Sequence, residues 1–472
     1  MGQAATVLER AQRAAAALRR LDQGATDAIV HAVHLAALDQ RVALARQAQE
    51  ETGLGVWQHK AIKNAIAAQL VYEYIKHEKT SGVISEDIRA GIIEVAQPLG
   101  PVLGLVPVTN PTATTIFKAL IAMKTRNPLI VSAPPAARQC VARTVEVCAA
   151  AAVGAGAPEH CIQALDRPSP ATIDELMADP RLALIIATGT EAVVRRASRS
   201  GTLTVGVGPG NVPAYIGVTA DVPFAVRCIV ESKTFDNGTV CASEQSVVVR
   251  RAIAEDTRLE FERQGGYFMS RHEIDRVGAI AWDRDRGAMM ASVVGQPVAA
   301  IAERAGIQVP AGAKLLLALL DRVGPEEPLS GEILAPILSC YVEEDFETAI
   351  RRCSEITNYG GVGHTAVIHS NRDERVEYFA QGVDASRVLV NTPATQGALG
   401  GMYNELVPSF TLSCGTAASN HTTDNISIRH LLNVHRIARR RPNQRWSSFD
   451  QSMYLDDRLT GEAIEREYNK NF

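Results

Sequence analysis

From Pro98 onward the chain alternates short apolar runs with helical patterns, and this alternation constrains the fold more than any other feature. Residues 102–106 read as a buried strand, 112–124 as a helix, 129–131 as a strand and 136–152 as a helix. Strand at 182–187, helix at 192–200 and strand at 203–207 continue the series. Strand, helix, strand repeated in this way predicts a doubly wound parallel α/β sheet, with ligands at the carboxyl ends of its strands. A second series begins after Val222, with helix over 224–232, a loop over 236–241, strand over 246–250 and further alternation to about Val390. A boundary is expected near 210–221, giving units 1–220 and 221–410 and a C-terminal return and tail over 411–472. Before the alternation starts, about the first 75 residues read as helices, poor in Gly and Pro. Residues 79–95, KTSGVISEDIRAGIIEV, read as a two-stranded hairpin around a polar centre.

At 472 residues and 46% hydrophobic content, the chain can bury a large core. A net charge of -4 gives no case for nucleic acid as a partner. No apolar run approaches the ~20 residues that cross a bilayer, so no membrane partner is expected. Segment 1–22 is amphipathic and lacks a signal-peptide core. The eight cysteines form no CxxC pair and no pattern with neighbouring histidines, which predicts no metal site and reduced thiols in a cytoplasm. The basic run 429–441 alternates charge with Leu431, Leu432, Val434 and Ile437, as an amphipathic element or subunit contact would. Residues 443–472 are polar with scattered aromatics and read as an extended arm or a frayed tail.

Cys241 differs from the other cysteines in its setting. It closes Phe235-Asp236-Asn237-Gly238-Thr239-Val240-Cys241, a polar turn between a helix and a strand, where a thiol can meet a ligand. Cys228, among Ala225, Val226, Ile229 and Val230, is the contrasting core case. A thiolate is the useful nucleophile, and a free cysteine is only slightly ionised at neutral pH. Asn110 stands where a strand ends and a helix starts. Before Pro111 it makes a good N-cap, and its amide can equally donate to an oxyanion. Thr188-Gly189-Thr190 joins a strand to a helix, so its amides could meet a phosphate. Gly206-Val207-Gly208-Pro209-Gly210-Asn211 is not GxGxxG, and a plain turn explains it as well.

Read together, these motifs resemble the aldehyde dehydrogenase superfamily, and within it the CoA-acylating aldehyde dehydrogenases, including the first half of bifunctional aldehyde–alcohol dehydrogenases. The resemblance runs from about Glu94 to Leu432. It rests on PLGPVLGLVPVTNPTATTIFKALIAMKTRN (98–127), KTFDNGTVCASEQSVVV (233–249), GGVGHTA (360–366) and NTPATQGALGGMYN (391–404). It implies two doubly wound α/β domains plus an oligomerisation hairpin over 79–97, in a homodimer or homotetramer. It also implies Cys241 as nucleophile, Asn110 in the oxyanion hole, and NAD or NADP as cofactor with CoA as co-substrate. Cofactor contacts are implied for Ser132, Thr188, Gly189, Thr190, Gly208 and Glu332, with Glu332 holding the nicotinamide ribose. His364, in Gly363-His364-Thr365, could assist the CoA thiol, polarise the oxyanion, or merely hydrogen-bond a loop.

Two departures bear on function. Hydrolytic relatives carry Glu-Leu-Gly-Gly, whose glutamate activates water; Gly206-Val207-Gly208-Pro209 stands there here. Glycine cannot accept a proton, so the thioester should persist until a thiol arrives. The acylating branch's Ser-Pro-His-Pro-Arg appears as Ser132-Ala133-Pro134-Pro135-Ala136, which leaves NAD against NADP open. The resemblance implies reversible oxidation of a small aldehyde to acyl-CoA. Acetaldehyde or a similar short aldehyde is the default; sulfoacetaldehyde, succinate semialdehyde and a hydrolytic reaction are the alternatives. No appended iron-dependent alcohol dehydrogenase half is expected.

Overall fold

The computed structural model describes residues 2–418 and 420–470. Its amino-terminal helices, Gln3–Leu18, Gln23–Asp39, Arg41–Thr52 and Trp57–Ala65, precede the antiparallel hairpin of β1 (Gly82–Asp87) and β2 (Ile92–Pro98). Next come β3 (Val102–Leu105), β4 (Leu129–Ser132), β5 (Ile162–Ala164), β6 (Leu184–Thr188) and β7 (Thr204–Val207). They form one parallel sheet in the order β5-β4-β3-β6-β7. Side chains alternate across a pleated strand, and both faces here are apolar. Val102, Leu129, Val131, Leu184 and Ile186 pack under the helices Gln23–Asp39, Pro111–Lys124 and Arg138–Gly154. Leu103, Leu105, Ile130, Ile185 and Ala187 pack on the other face, against Val7, Leu8, Leu176 and Val194. The order reverses between β3 and β6, which opens a crevice at their carboxyl ends.

A second parallel sheet takes β8 (Val212–Ile216), β9 (Glu244–Arg250) and β10 (Gly266–Phe268). After a two-residue hairpin of β11 (Trp282–Asp283) and β12 (Ala288–Met289), it adds β13 (Leu315–Leu319), β14 (Ile337–Glu343), β15 (Gly363–His369) and β16 (Ala385–Val390). Its order is β10-β13-β14-β9-β8-β15-β16. The chain crosses from one sheet to the other over 208–211, between β7 and β8.

Two carboxy-terminal segments differ from the simpler readings. The basic run supplies β17 (Leu432–Ala438), an antiparallel strand on β2 that completes a three-stranded sheet with β1. Its alternation of charged and apolar residues is the period of a half-buried strand. Residues 443–470 are neither extended nor frayed, but form short helices, Gln444–Ser448 and Gly461–Asn469, around an aromatic cluster. Trp446 stacks on Tyr454 at 5.8 Å, and Phe449 meets Tyr468 edge-on at 5.4 Å. These rings give a short polar segment a small core of its own.

Candidate active site

The loop before Cys241 has its shape from three successive left-handed residues: Asp236 (φ 51), Asn237 (φ 53) and Gly238 (φ 71). Asp and Asn tolerate this conformation better than other side chains. At Gly238 a Cβ would also stand 2.8 Å from the Ala335 carbonyl oxygen, so only glycine fits. The loop delivers Cys241 half-buried, whereas the other seven cysteines are fully buried. Burial, with the Glu332 carboxylate pushing the same way, raises the Cys241 thiol to about 12; Arg387 opposes them.

Cys241 lies at the amino end of β9, and its neighbours come from equivalent places in the same sheet. Gly210 precedes β8, Glu332 precedes β14, and His364 opens β15. This amino edge faces the carboxyl edge of the five-stranded sheet, from which Asn110 reaches to 3.5 Å of the Thr239 carbonyl oxygen. The site is therefore a seam between two sheet edges. Only the five-stranded side obeys the rule that ligands gather at carboxyl ends.

Asn110 holds the N-cap position of the helix Pro111–Lys124, but its side chain makes no capping bond. Its Oδ1 accepts from Lys63 Nζ at 2.5 Å, and its Nδ2 donates to Thr109 Oγ1 at 3.1 Å. A carbonyl oxygen engaged by an ammonium group fixes which end of the amide donates toward the Cys241 loop.

Glu332 Oε1 accepts from the Gly210 amide at 2.8 Å. Burial raises this carboxyl to about 7, against the Gly210 bond and Lys233, which lower it. His364 is fully buried, its Nδ1 is 3.0 Å from Thr365 Oγ1, and its Nε2 has no partner among the described residues. Burial and the Arg387 cation lower its pKa to about 3, so the ring is neutral at physiological pH. Arg387 Nη1 donates to the His364 carbonyl oxygen at 3.0 Å, which fixes the start of β15. Gly210 is the hinge of this cluster: a Cβ there would stand 2.5 Å from Cys241 O and 2.9 Å from His364 Cγ.

Of the sequence-predicted cofactor residues, Ser132, Thr188, Gly189 and Thr190 lie at the opposite edge and Gly208 follows β7, whereas Glu332 lies on the Cys241 side. Ser132 ends β4 beside Leu105, and Thr188 ends β6, sharing a 2.9 Å hydrogen bond with Thr411 Oγ1. Gly189 and Thr190 lead into the helix Glu191–Ser198, with Thr190 at its N-cap position. Around Gly208 a Cβ would meet nothing within 4 Å, whereas at Gly206 it would stand 3.0 Å from the Ala187 carbonyl oxygen and 3.1 Å from Val194. Position 208 is open and position 206 is closed. A separate cavity of about 420 Å³, lined by Arg195, Arg199 and His421 among others, holds none of the residues singled out from sequence.

Sequence reasoning missed a buried polar cluster beside the thiol. Lys60 and Lys63, on the helix Trp57–Ala65, both pair with the Asp236 carboxylate, Lys60 at 3.0 Å. Asp236 also accepts from the Val56 amide at 2.6 Å and from Thr239 Oγ1 at 2.8 Å. Burial raises its pKa, but the two lysines outweigh burial and hold it below the usual carboxylate range. The i, i+3 spacing of the lysines was visible, but lysines on an amphipathic helix usually reach solvent. Among the described residues, no group of three or more His, Cys, Asp or Glu side chains could hold a metal ion.

Two parallel sheets meeting edge to edge, with a half-buried thiol at the seam and an open glycine turn opposite, define a dehydrogenase-type α/β enzyme fold. The family model that matches residues 2–403 is the aldehyde dehydrogenase family, and the chain belongs to it. It is 41% identical over 453 residues to a bifunctional aldehyde-alcohol dehydrogenase of Escherichia coli, covering 95% of this chain and 51% of that protein. The chain thus spans about half the length of that relative. It is 33% identical to a succinate-semialdehyde dehydrogenase (acetylating) of Clostridium kluyveri, covering 91% of this chain and 94% of that one. An acetylating aldehyde dehydrogenase from Geobacillus thermoglucosidasius superposes with a TM-score of 0.90 at 40% identity, covering 93% of this chain and 97% of that one.

Proposed function

We propose that the chain oxidises a small aldehyde to an acyl-CoA, using NAD or NADP, through a thioester on Cys241. The observation that carries this reading is the pairing of a half-buried Cys241, on the loop whose Thr239 carbonyl the Asn110 amide reaches, with a closed backbone at Gly206. The first suits an acyl-enzyme; the second leaves no carboxylate at position 206, where hydrolytic relatives carry the one that activates water. Acetylating and acylating relatives support the same class of reaction. The five-stranded unit within 1–220 would bind the cofactor and 221–410 would carry the chemistry. The hairpin over 79–97, extended by β17, would serve a homodimer or homotetramer. Eight free cysteines suit a cytoplasmic setting, and no helix among the described residues is long and apolar enough to cross a membrane.

The residues present fit a nicotinamide cofactor: the open turn at Gly208, the crevice beyond β3 and β6, and the Glu332 carboxylate facing it. Ser132, Thr188, Gly189, Thr190, Gly208 and Glu332 would hold it. When bound, it supplies acceptance of a hydride. The chain's own residues do the rest. Cys241 adds to the aldehyde carbon, and Asn110 Nδ2 donates to the developing oxyanion. Glu332, at about 7, is suited to hold a proton from the Cys241 or CoA thiol near neutral pH. His364 stays neutral and serves through Nε2 as a hydrogen-bonding group, not as an imidazolium. CoA thiol then displaces Cys241 from the acyl group. The test is cofactor reduction with a panel of small aldehydes, with and without CoA, using NAD and NADP. Strict dependence on CoA is expected. Comparable steady turnover without CoA, releasing free acid, would overturn the reading. Sulfoacetaldehyde and succinate semialdehyde belong in the panel beside acetaldehyde.

A further inference from the structure

We infer that Lys63 is a positioning residue for acyl-enzyme formation, aiming the Asn110 amide and placing an uncompensated buried positive charge beside Cys241. This rests on the proposed thioester reaction, and its failure is separable from the failure of that reading.

Three contacts converge on one ammonium group. Lys63 Nζ donates to Asn110 Oδ1 at 2.5 Å and to Thr239 Oγ1 at 3.1 Å, and it pairs with the Asp236 carboxylate. The side chain is 1% exposed, so all its donors must be met by protein or by bound reactants. One end of Lys63 thus ties together the loop carrying Asn110 and the loop carrying Cys241, which belong to different sheets. If Asn110 flipped, its NH2 would face an ammonium and its oxygen would face the Thr239 carbonyl. Both contacts would be repulsive, so the lysine selects the orientation in which NH2 faces the seam.

The charge count points the same way. Lys60 and Lys63 are two cations against the single carboxylate of Asp236, all three buried. A buried excess of one positive charge is costly unless something negative offsets it. The thiolate of Cys241, and later the oxyanion it forms, is one negative charge at that place. The interaction with Cys241 favours the charged Lys63, while burial pulls its pKa down to about 8. Lys60 makes its second bond elsewhere, to the Thr109 carbonyl oxygen at 3.1 Å, and makes no bond to Asn110. The two lysines therefore share Asp236 and differ in their reach toward the thiol.

The experiment is a double-mutant cycle on full-length enzyme with Lys63→Met, Asn110→Ala and the pair, plus Lys60→Met. The readouts are the pre-steady-state burst of reduced cofactor without CoA, and the pH dependence of Cys241 alkylation by iodoacetamide. Lys63→Met should slow the burst about 10²-fold, the scale of losing one oxyanion donor. The alkylation midpoint should move to higher pH, with the aldehyde KM changing much less. Adding Lys63→Met to Asn110→Ala should cost clearly less than Lys63→Met alone costs, since the part of the lysine's action that runs through the amide is already lost. Fully additive losses, an unmoved alkylation profile, or an equal loss from Lys60→Met would show that Lys63 only supports the fold and would overturn the inference. Lys63→Gln replaces Lys63→Met in the same cycle if the latter does not fold. If wild type shows a burst without CoA and steady turnover only with it, and Asn110→Ala loses the burst, the thioester reading stands whatever Lys63 does.

Discussion

Gly210→Ala tests whether the site is held to sub-ångström tolerance by its backbone. Gly210 is absent from the left-handed glycines, so alanine meets no conformational barrier there and acts by contact alone. The added Cβ would stand 2.5 Å from Cys241 O, 2.9 Å from His364 Cγ and 3.0 Å from His364 Cδ2, where ordinary contact begins at 3.4 Å. The Cys241 carbonyl must therefore retreat about 0.9 Å and the imidazole about 0.5 Å, from the differences of those distances. Neither neighbour is a flexible side-chain end. Overpacking of this kind costs about 1–3 kcal/mol of stability, and displacing a reacting group by about 1 Å costs about 10²-fold in rate. The assay is the burst of reduced cofactor, read beside thermal unfolding. The expected result is a burst slowed about 10²-fold with a clearly lowered Tm. Gly208→Ala is the internal contrast, since its Cβ meets nothing within 4 Å. It should keep its Tm, and any loss should appear as weaker cofactor binding. A Gly210→Ala burst within threefold of wild type would refute the claim that Gly210 sets the Cys241–His364 geometry.

Three further outcomes follow from the same contacts. Asp236→Asn can keep the left-handed backbone but leaves Lys60 and Lys63 without a counter-charge, so urea unfolding should show a loss of about 3–5 kcal/mol; a loss under 1 kcal/mol would mean the lysines find other partners. His369 is fully buried with both ring nitrogens unpartnered among the described residues, and burial lowers its pKa to about 4. The unfolded chain then binds the proton first as pH falls from about 6.5 to 4, so stability should drop across that window by up to about 3 kcal/mol, and His369→Leu should flatten its share of the Tm–pH curve. Gly206→Glu meets the Ala187 carbonyl oxygen at 3.0 Å, so it should lower Tm without creating CoA-independent turnover; release of free acid by that variant would show that the backbone can yield.

Four strands of the five-stranded sheet, and β9 of the other, are legible because buried parallel strands are continuous apolar runs, as at 102–106; the remaining strands of the second sheet stay within an undivided alternation. Cys241 was legible for the opposite reason, as a thiol in a polar Asp-Asn-Gly turn. Its side chain could not be placed relative to Asn110, because that depends on two sheets meeting by opposite edges. Lys63 escaped notice on local grounds. Its burial is possible only because Asp236, remote in the chain, folds back to pair with it. The tail after Asn443 shows its aromatics in the sequence but not their clustering, because Trp446, Phe449, Tyr454 and Tyr468 meet only once the segment turns on itself.

On the proposed reading, packing at two glycines rather than the thiol itself would set the fate of an acyl group on Cys241. Closure at Gly206 removes the place for a water-activating carboxylate, and openness at Gly208 leaves room for a ligand to approach the seam. The thiol is poised between opposing charges. Glu332 and burial raise its pKa to about 12, and Arg387 acts against them. Lys63, of the Lys60–Lys63–Asp236 cluster, interacts with the thiol electrostatically as well. Protonating Glu332, which its pKa of about 7 allows near neutrality, removes one of the influences that disfavour the thiolate, leaving burial and Cys414. Proton uptake by Glu332 and proton loss by Cys241 are thus favourably coupled: a proton on this carboxyl eases the thiol's ionisation.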